Sequence, residues 1–264
     1  MNPVHALLAL ALFAVSSFAA AQAPVKLYAA GSLRGVMNDL ASAWKTAGGG
    51  TVEAEYGASG TLRDRIASGA PAQVFASANM THPQSLAAAG RAGPVSLFAR
   101  NQLCALSTPQ ARVTTDTLLD RLLDPAVKVG TSTPKADPSG DYAFLLFEKA
   151  DKVRPGAGAT LVAKAQKLTG GPDSPKPPPD RSLYGMLVAG GQADVFLTYC
   201  TNAIVAQREH PSLVVSTIPP ALAVGADYGI TVLTGAPEGA AKFVAFVLSP
   251  EGRRIIESHG FALP

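Results

Sequence analysis

Charge is scarce in this chain. Only 16% of its 264 residues are charged, against 47% hydrophobic. That balance excludes a disordered chain and predicts a globular body with a large core. The charge is also diffuse. The formal net is +3, with no cluster of Lys or Arg and no basic stripe interleaved with aromatics, so no nucleic-acid partner is expected. Histidine is sparse, four residues in all. His82, His210 and His259 each stand beside a loop-forming residue, in no context that suggests a triad or a metal site. A Gly-x-Ser-x-Gly elbow is missing, since Gly57-Ala58-Ser59-Gly60 has the wrong spacing. Gly48-Gly49-Gly50 lies between a helix and a strand, the wrong order for a phosphate loop. Together these absences argue against the rival class, an exported enzyme. Neither a cofactor nor a free metal cation is expected.

Cysteine is limited to Cys104 and Cys200. In an oxidising compartment an even pair permits one disulfide. It would close a loop worth about 4–5 kcal/mol in the chain-entropy model. The alternative is two buried free thiols in core strands. Long apolar runs are also missing, with one exception. Ala6 to Phe18 is an apolar stretch too short to span a bilayer, followed by Ala19-Ala20-Ala21, a small-x-small cleavage pattern. Residues 1–21 therefore read as a signal peptide, although no Lys or Arg precedes the apolar stretch. No Cys follows it, so a lipid anchor is not expected. The mature protein should be soluble and exported to the periplasm.

What the chain does have is alternation. Val25 to Ala30 reads as a buried strand. Leu33, Val36, Met37, Leu40 and Trp44 then recur at helical spacing. Strands are expected at Thr51–Tyr56, Val74–Ala76, Leu97–Phe98, Leu103–Leu106, Val127–Gly130, Val195–Tyr199, Val214–Ile218 and Ile230–Leu233. Between them lie helical patterns, among them Ser59–Ser68, Ser139–Ala150, Thr160–Leu168, Ser182–Ala189 and Ala203–Glu209. Two more, Pro237–Leu248 and Pro250–His259, close the chain. Gly170 to Asp180, with its Pro177-Pro178-Pro179 run, reads as a stiff surface loop. The order predicts an α/β fold with parallel sheets in two lobes, with ligands bound outside the carboxyl ends of strands.

At three junctions a small hydroxyl residue follows a strand and opens a helix: Ser32, Ser59 and Ser139. Each reads as a helix N-cap beside free N–H groups and the positive end of a helix dipole. One such end is ordinary, and three suggest a pocket for a small dianion. Asp137 and Asp141 flank Ser139 and read as capping carboxylates.

Several segments together carry a resemblance: Val25-Lys26-Leu27-Tyr28-Ala29-Ala30-Gly31-Ser32-Leu33, Ala58-Ser59-Gly60-Thr61-Leu62, Ile66 through Ala78, Ala193 through Tyr199, and Ser249-Pro250-Glu251-Gly252 with Gly260-Phe261. Over essentially the whole mature chain the sequence resembles periplasmic molybdate-binding proteins, the solute receptors of ABC importers. The resemblance implies a two-lobe periplasmic-binding-protein (Venus-flytrap) fold with two hinge-crossing strands. Lobe one would be 22–103 plus 228–264, and lobe two 104–227. It implies a tetrahedral oxyanion ligand, molybdate or tungstate, held by neutral donors. It further implies a monomer and delivery to a membrane permease.

Carried over by position, Ser32 and Ser59 supply hydroxyls and N–H groups from lobe one. Ser139 falls where the family uses a backbone N–H from lobe two, and Tyr199 matches a tyrosine hydroxyl. Arg181 aligns with a position usually small or apolar that donates through its backbone. A guanidinium there would suit a carboxylate or phosphate-like group instead, and a solvated arginine beside the proline-rich loop is the competing reading. Arg34 and Arg63 read as solvated helix residues. A sensory module that hands its ligand to a receptor rather than an importer would present the same residues.

Overall fold

The computed structural model describes residues 23–176 and 181–264. The expected leader, residues 1–21, and the Pro177-Pro178-Pro179 run lie outside the described residues.

The chain opens with β1 (Val25–Ala30), a tight 3-10 turn at Gly31–Leu33, and α1 (Arg34–Thr46). Next come β2 (Val52–Gly57), α2 (Ser59–Ala67), β3 (Val74–Ser77) and α3 (Thr81–Ala88). β1 pairs in parallel with β2 and with β3. Every residue of β1 except Lys26 is buried, as expected for a strand covered on both faces. β4 (Ser96–Ser107) is a single 12-residue strand. It leads to α4 (Leu118–Leu123), β5 (Val129–Ser132), α5 (Pro138–Val153), α6 (Ala157–Lys164) and β6 (Gln166–Thr169). Then follow α7 (Leu183–Ala189), β7 (Val195–Tyr199), α8 (Cys200–Glu209) and β8 (Val214–Thr217). β9 (Gly225–Val232), α9 (Glu238–Val247) and α10 (Pro250–Ser258) complete the order.

Two strands hold the architecture together. The first half of β4 pairs with β9, from Ser96 opposite Ile230 to Gln102 opposite Gly225. From Leu103 onward β4 changes partners and pairs with β7 and β8. β9 in turn continues onto β3. β4 therefore carries the chain out of the first sheet, and β9 brings it back. The second sheet is built on β5, parallel to both β6 and β7. The two C-terminal helices return to the first sheet: α9 and α10 pack on α1. There the Trp44 ring lies 6.1 Å from Phe243 and 5.5 Å from Phe246. Val36, Met37 and Leu40 are all buried on the same helix, each worth about 1.5–3 kcal/mol relative to exposure.

The structure corrects several expectations. The sheets are mixed rather than parallel, because both crossing strands run antiparallel to their neighbours. Leu97–Phe98 and Leu103–Leu106 are halves of one strand. Polar residues Arg100 and Gln102 interrupt its apolar pattern where it passes between the sheets. The helix expected through Leu168 ends at Lys164, and Gln166–Thr169 pairs with β5 instead. Pairing with a neighbouring strand overrides a weak helical pattern.

Of the two readings of the cysteines, the disulfide is the one formed. Cys104 of β4 is bonded to Cys200, the first residue of α8, with Cα atoms 4.8 Å apart and a separation of 96 positions in sequence. It pins the outgoing strand to the helix that follows Tyr199.

Candidate functional site

None of the three junction serines caps its helix with its side chain. Ser32 lies inside the 3-10 turn, and Ser59 is the first residue of α2 behind an uncapped Ala58. Ser139 is the second residue of α5, whose cap is Asp137. The N-cap reading of the serines is therefore replaced, and their hydroxyls go elsewhere. Ser32 Oγ shares a hydrogen bond of 3.1 Å with Tyr228 Oη. Ser59 Oγ accepts the Ala78 N–H at 3.1 Å. The Tyr199 hydroxyl donates to the carbonyl of the same Ala78 at 3.4 Å. The Tyr199 and Tyr228 rings lie 5.5 Å apart.

The structure thus brings Ser32, Ser59 and Tyr199 together through two intermediaries, Ala78 just past β3 and Tyr228 on β9. Ser59, Tyr199 and Tyr228 are at most 1% exposed. Desolvation raises the Tyr199 and Tyr228 phenols well above their usual range, so both stay neutral at physiological pH. The result is a cluster of uncharged donors and acceptors at the carboxyl ends of β1, β2, β3 and β7. This is where ligands bind in α/β sheets.

The opposite wall is the N-terminus of α5. Ser139 is fully buried, and its Oγ has no hydrogen-bond partner. Its N–H is already engaged, donating to Asp137 Oδ1 at 3.0 Å. The capping role expected of Asp137 is observed, while Asp141 Oδ1 accepts the Lys135 N–H at 2.7 Å. Desolvation pushes the Asp137 carboxyl up to about 6, against the Ser139 N–H and the Ser132 hydroxyl, which favour its ionised form. The two walls meet directly. The Gly60 N–H in the first turn of α2 donates to the Ala136 carbonyl at 2.9 Å. A Cβ at position 60 would overlap the carbonyl oxygens of Lys135 and Ala136, so glycine allows this approach.

Arg181 is not brought to this cluster. Its Nε lies 3.1 Å from Glu209 Oε2. Glu209 is the last residue of α8, a ten-residue helix that Tyr199 precedes. At 1.5 Å rise per residue the two ends are about 14 Å apart. The same carboxylate also receives the Ser182 N–H at 2.9 Å. Arg34 lies over the Tyr56 ring, 4.5 Å from its centroid, and Arg63 pairs with Asp64 at 2.7 Å. His259 contacts Asp39 at 2.8 Å. His82 is buried with both ring nitrogens unpartnered, and desolvation lowers it to about 4.

Sequence reasoning missed Tyr228, Ala78 and Asn101, whose side-chain amide donates to Thr201 Oγ1 at 2.8 Å. Tyr228 and Asn101 sit on the crossing strands β9 and β4, and only the pairing of those strands makes them neighbours. Nothing in a single sequence marks them.

A two-sheet α/β body joined by two crossing strands, with a polar cluster between its halves, defines a two-lobe solute receptor. The chain belongs to the bacterial extracellular solute-binding proteins, whose family model matches residues 25–262. It is 27% identical to the molybdate-binding protein ModA of Escherichia coli K12, over 95% of this chain and 94% of that protein. Among solved structures it is similar to the periplasmic molybdate-binding protein of Azotobacter vinelandii. The TM-score there is 0.72 at 20% identity, covering 91% of this chain and 99% of that one. The sulfate-binding protein SubI of Mycobacterium tuberculosis H37Rv matches with the same TM-score of 0.72 at 19% identity, covering 92% of this chain and 87% of that one. The two structural matches speak for the shared two-lobe fold. Among the described residues no helix is long and apolar enough to cross a membrane.

Proposed function

We propose that this protein captures a small tetrahedral oxyanion, molybdate or tungstate, in the periplasm and delivers it to the permease of an ABC importer. It acts as a monomer, without a cofactor and without catalysing a reaction. The ligand would lie against Ser32, Ser59, Tyr199 and Ser139. The observation that carries this reading is the convergence of three hydroxyls, from Ser32, Ser59 and Tyr199, on one buried uncharged cluster. A dianion leaving water loses a large hydration energy, and several directed hydrogen bonds must replace it. Short donors on fixed helix starts supply them without mobile countercharges. A rigid cage also selects by radius, which favours molybdate and tungstate over the smaller sulfate.

In this reading the lobes are 22–103 plus 228–264 and 104–227, and β4 and β9 act as the hinge. The change of partners in β4 between Gln102 and Leu103 supports that division. The pairing of Arg181 with Glu209 weighs against a ligand held by a guanidinium, and so against the carboxylate or phosphate-like alternative. The non-catalytic reading is supported by the hydroxyl partners: Ser32 and Ser59 bond a phenol and an amide, not a general base.

Calorimetry on the purified protein tests this. Saturable heat with molybdate or tungstate, and little with sulfate, is the expected result. Silence with both metal oxyanions alongside clear binding of sulfate, phosphate or a carboxylate would overturn the ligand assignment.

A further inference from the structure

The α5 end of the cleft carries a feature that a cage of neutral donors does not need. Asp137 places a carboxylate on the Ser139 N–H at 3.0 Å, the backbone donor that the ligand would use. The position is built for this side chain. The Ser132 hydroxyl favours the ionised form of Asp137, and Ser132 Oγ is itself 2.7 Å from Thr169 Oγ1. Gly170 makes room for it: a Cβ there would stand 2.8 Å from Asp137 Oδ2. Gly170 also has a φ of +77°, a conformation that favours glycine. The titratable groups coupled to Asp137 through charge are Asp141 along α5, Tyr184 of α7 and Tyr199 at the end of β7. Among the described residues no Lys, Arg or His forms an ion pair with it.

A carboxylate can only accept hydrogen bonds, and a fully deprotonated oxyanion has none to give. Two such groups at one helix end repel, and the helix end satisfies one of them at a time. We propose that Asp137 is the specificity-determining residue of the cleft and couples capture of a fully deprotonated oxyanion to the uptake of one proton. The proton comes from solvent and is added to the Asp137 carboxylate. No bond of the anion breaks. The neutral carboxyl then donates to the anion, and the Ser139 N–H is released to it. This deepens the oxyanion reading above and rests on it. The raised affinity of the carboxyl for protons, half-titrated at about 6, keeps the cost of uptake modest. With that value about 1% of the carboxyl is protonated at pH 8, so affinity there should fall up to about a hundredfold below its acid plateau.

The test is titration calorimetry of the mature protein with molybdate, and with tungstate and sulfate in parallel, in buffers of differing ionisation enthalpy. At pH 7.5 the wild type should take up close to one proton per anion bound, and Asp137→Asn close to none. Asparagine keeps the cap through its carbonyl oxygen. Wild-type affinity should drop about tenfold per pH unit above pH 6.5, while that of Asp137→Asn stays level. Asp141→Asn should retain the uptake. Binding without uptake, or uptake lost in Asp141→Asn but kept in Asp137→Asn, overturns this inference and leaves the oxyanion reading standing. No binding of any of the three anions by either protein overturns both.

Discussion

The two walls of the cleft satisfy their polar groups in different ways. On the first wall every named hydroxyl has a neutral partner: Ser32 with Tyr228, Ser59 with the Ala78 N–H. On the second, the Ser139 hydroxyl has no partner and its N–H is held by a carboxylate from the same turn. The first wall is preorganised, because its donors are fixed by groups that do not titrate near neutral pH. The second holds a charge that a dianion must displace or neutralise. Affinity and pH response are therefore expected to have separate structural origins, the first set by hydroxyls at the starts of α-helices and the second by one aspartate.

The largest expected effect concerns the second half alone, because it contains the disulfide. Replacing both Cys104 and Cys200 by serine should lower stability by about 4–5 kcal/mol in the chain-entropy model, read as a shift of the urea midpoint. An unchanged midpoint would mean that strand pairing of β4 with β7 and β8 suffices without the cross-link.

Asp137→Asn should act in the opposite direction on the unliganded protein. The folded carboxyl is raised to about 6 from the 3.8 of an ordinary aspartate, so the folded state binds more protons between those values. Its contribution is favourable below 3.8 and is lost as pH rises through 6. At pH 8 the partly buried charge then costs up to about 3 kcal/mol. The variant should melt higher than wild type at pH 8, and the gap should close toward pH 4. A gap constant across pH would show that the carboxylate is compensated in the folded state.

Ser59→Ala and Tyr199→Phe probe the neutral wall. Each removes a hydroxyl, and each should weaken oxyanion binding by about 1–3 kcal/mol with no change in the pH profile. A change in pH profile would erase the distinction between the walls. The smallest effect is expected of Arg181→Ala. A half-exposed ion pair is worth about 0–1 kcal/mol, and its place at the far end of α8 predicts unchanged anion affinity. A large loss of affinity would return the guanidinium to the cleft.

Much of this was legible in the sequence. The strand at Val25–Ala30 and the helix carrying Leu33, Val36, Met37, Leu40 and Trp44 follow from apolar spacing, which survives any tertiary arrangement. So do the junction positions of Ser32, Ser59 and Ser139. Their partners were not legible. A serine behind a strand reads as a cap, because local capping is the default use of its hydroxyl. It took Tyr228, nearly two hundred residues from Ser32, to draw that hydroxyl away. The β6 strand was hidden for the same reason, since Gln166–Thr169 is a strand only because β5 lies beside it.

The sequence by itself determined the alternation of elements, the sparse charge and the small hydroxyls at helix starts, all of which are properties of neighbours along the chain. The tertiary structure alone decided the antiparallel crossing strands, the cross-link from β4 to α8 and the meeting of Ser59 and Tyr199 at Ala78. It also sent Arg181 to Glu209. The physical reason is one of range. Helix and strand periodicity is set over a few residues, whereas the fate of a buried hydroxyl or charge depends on whichever polar group the folded chain brings within 3 Å or so of it.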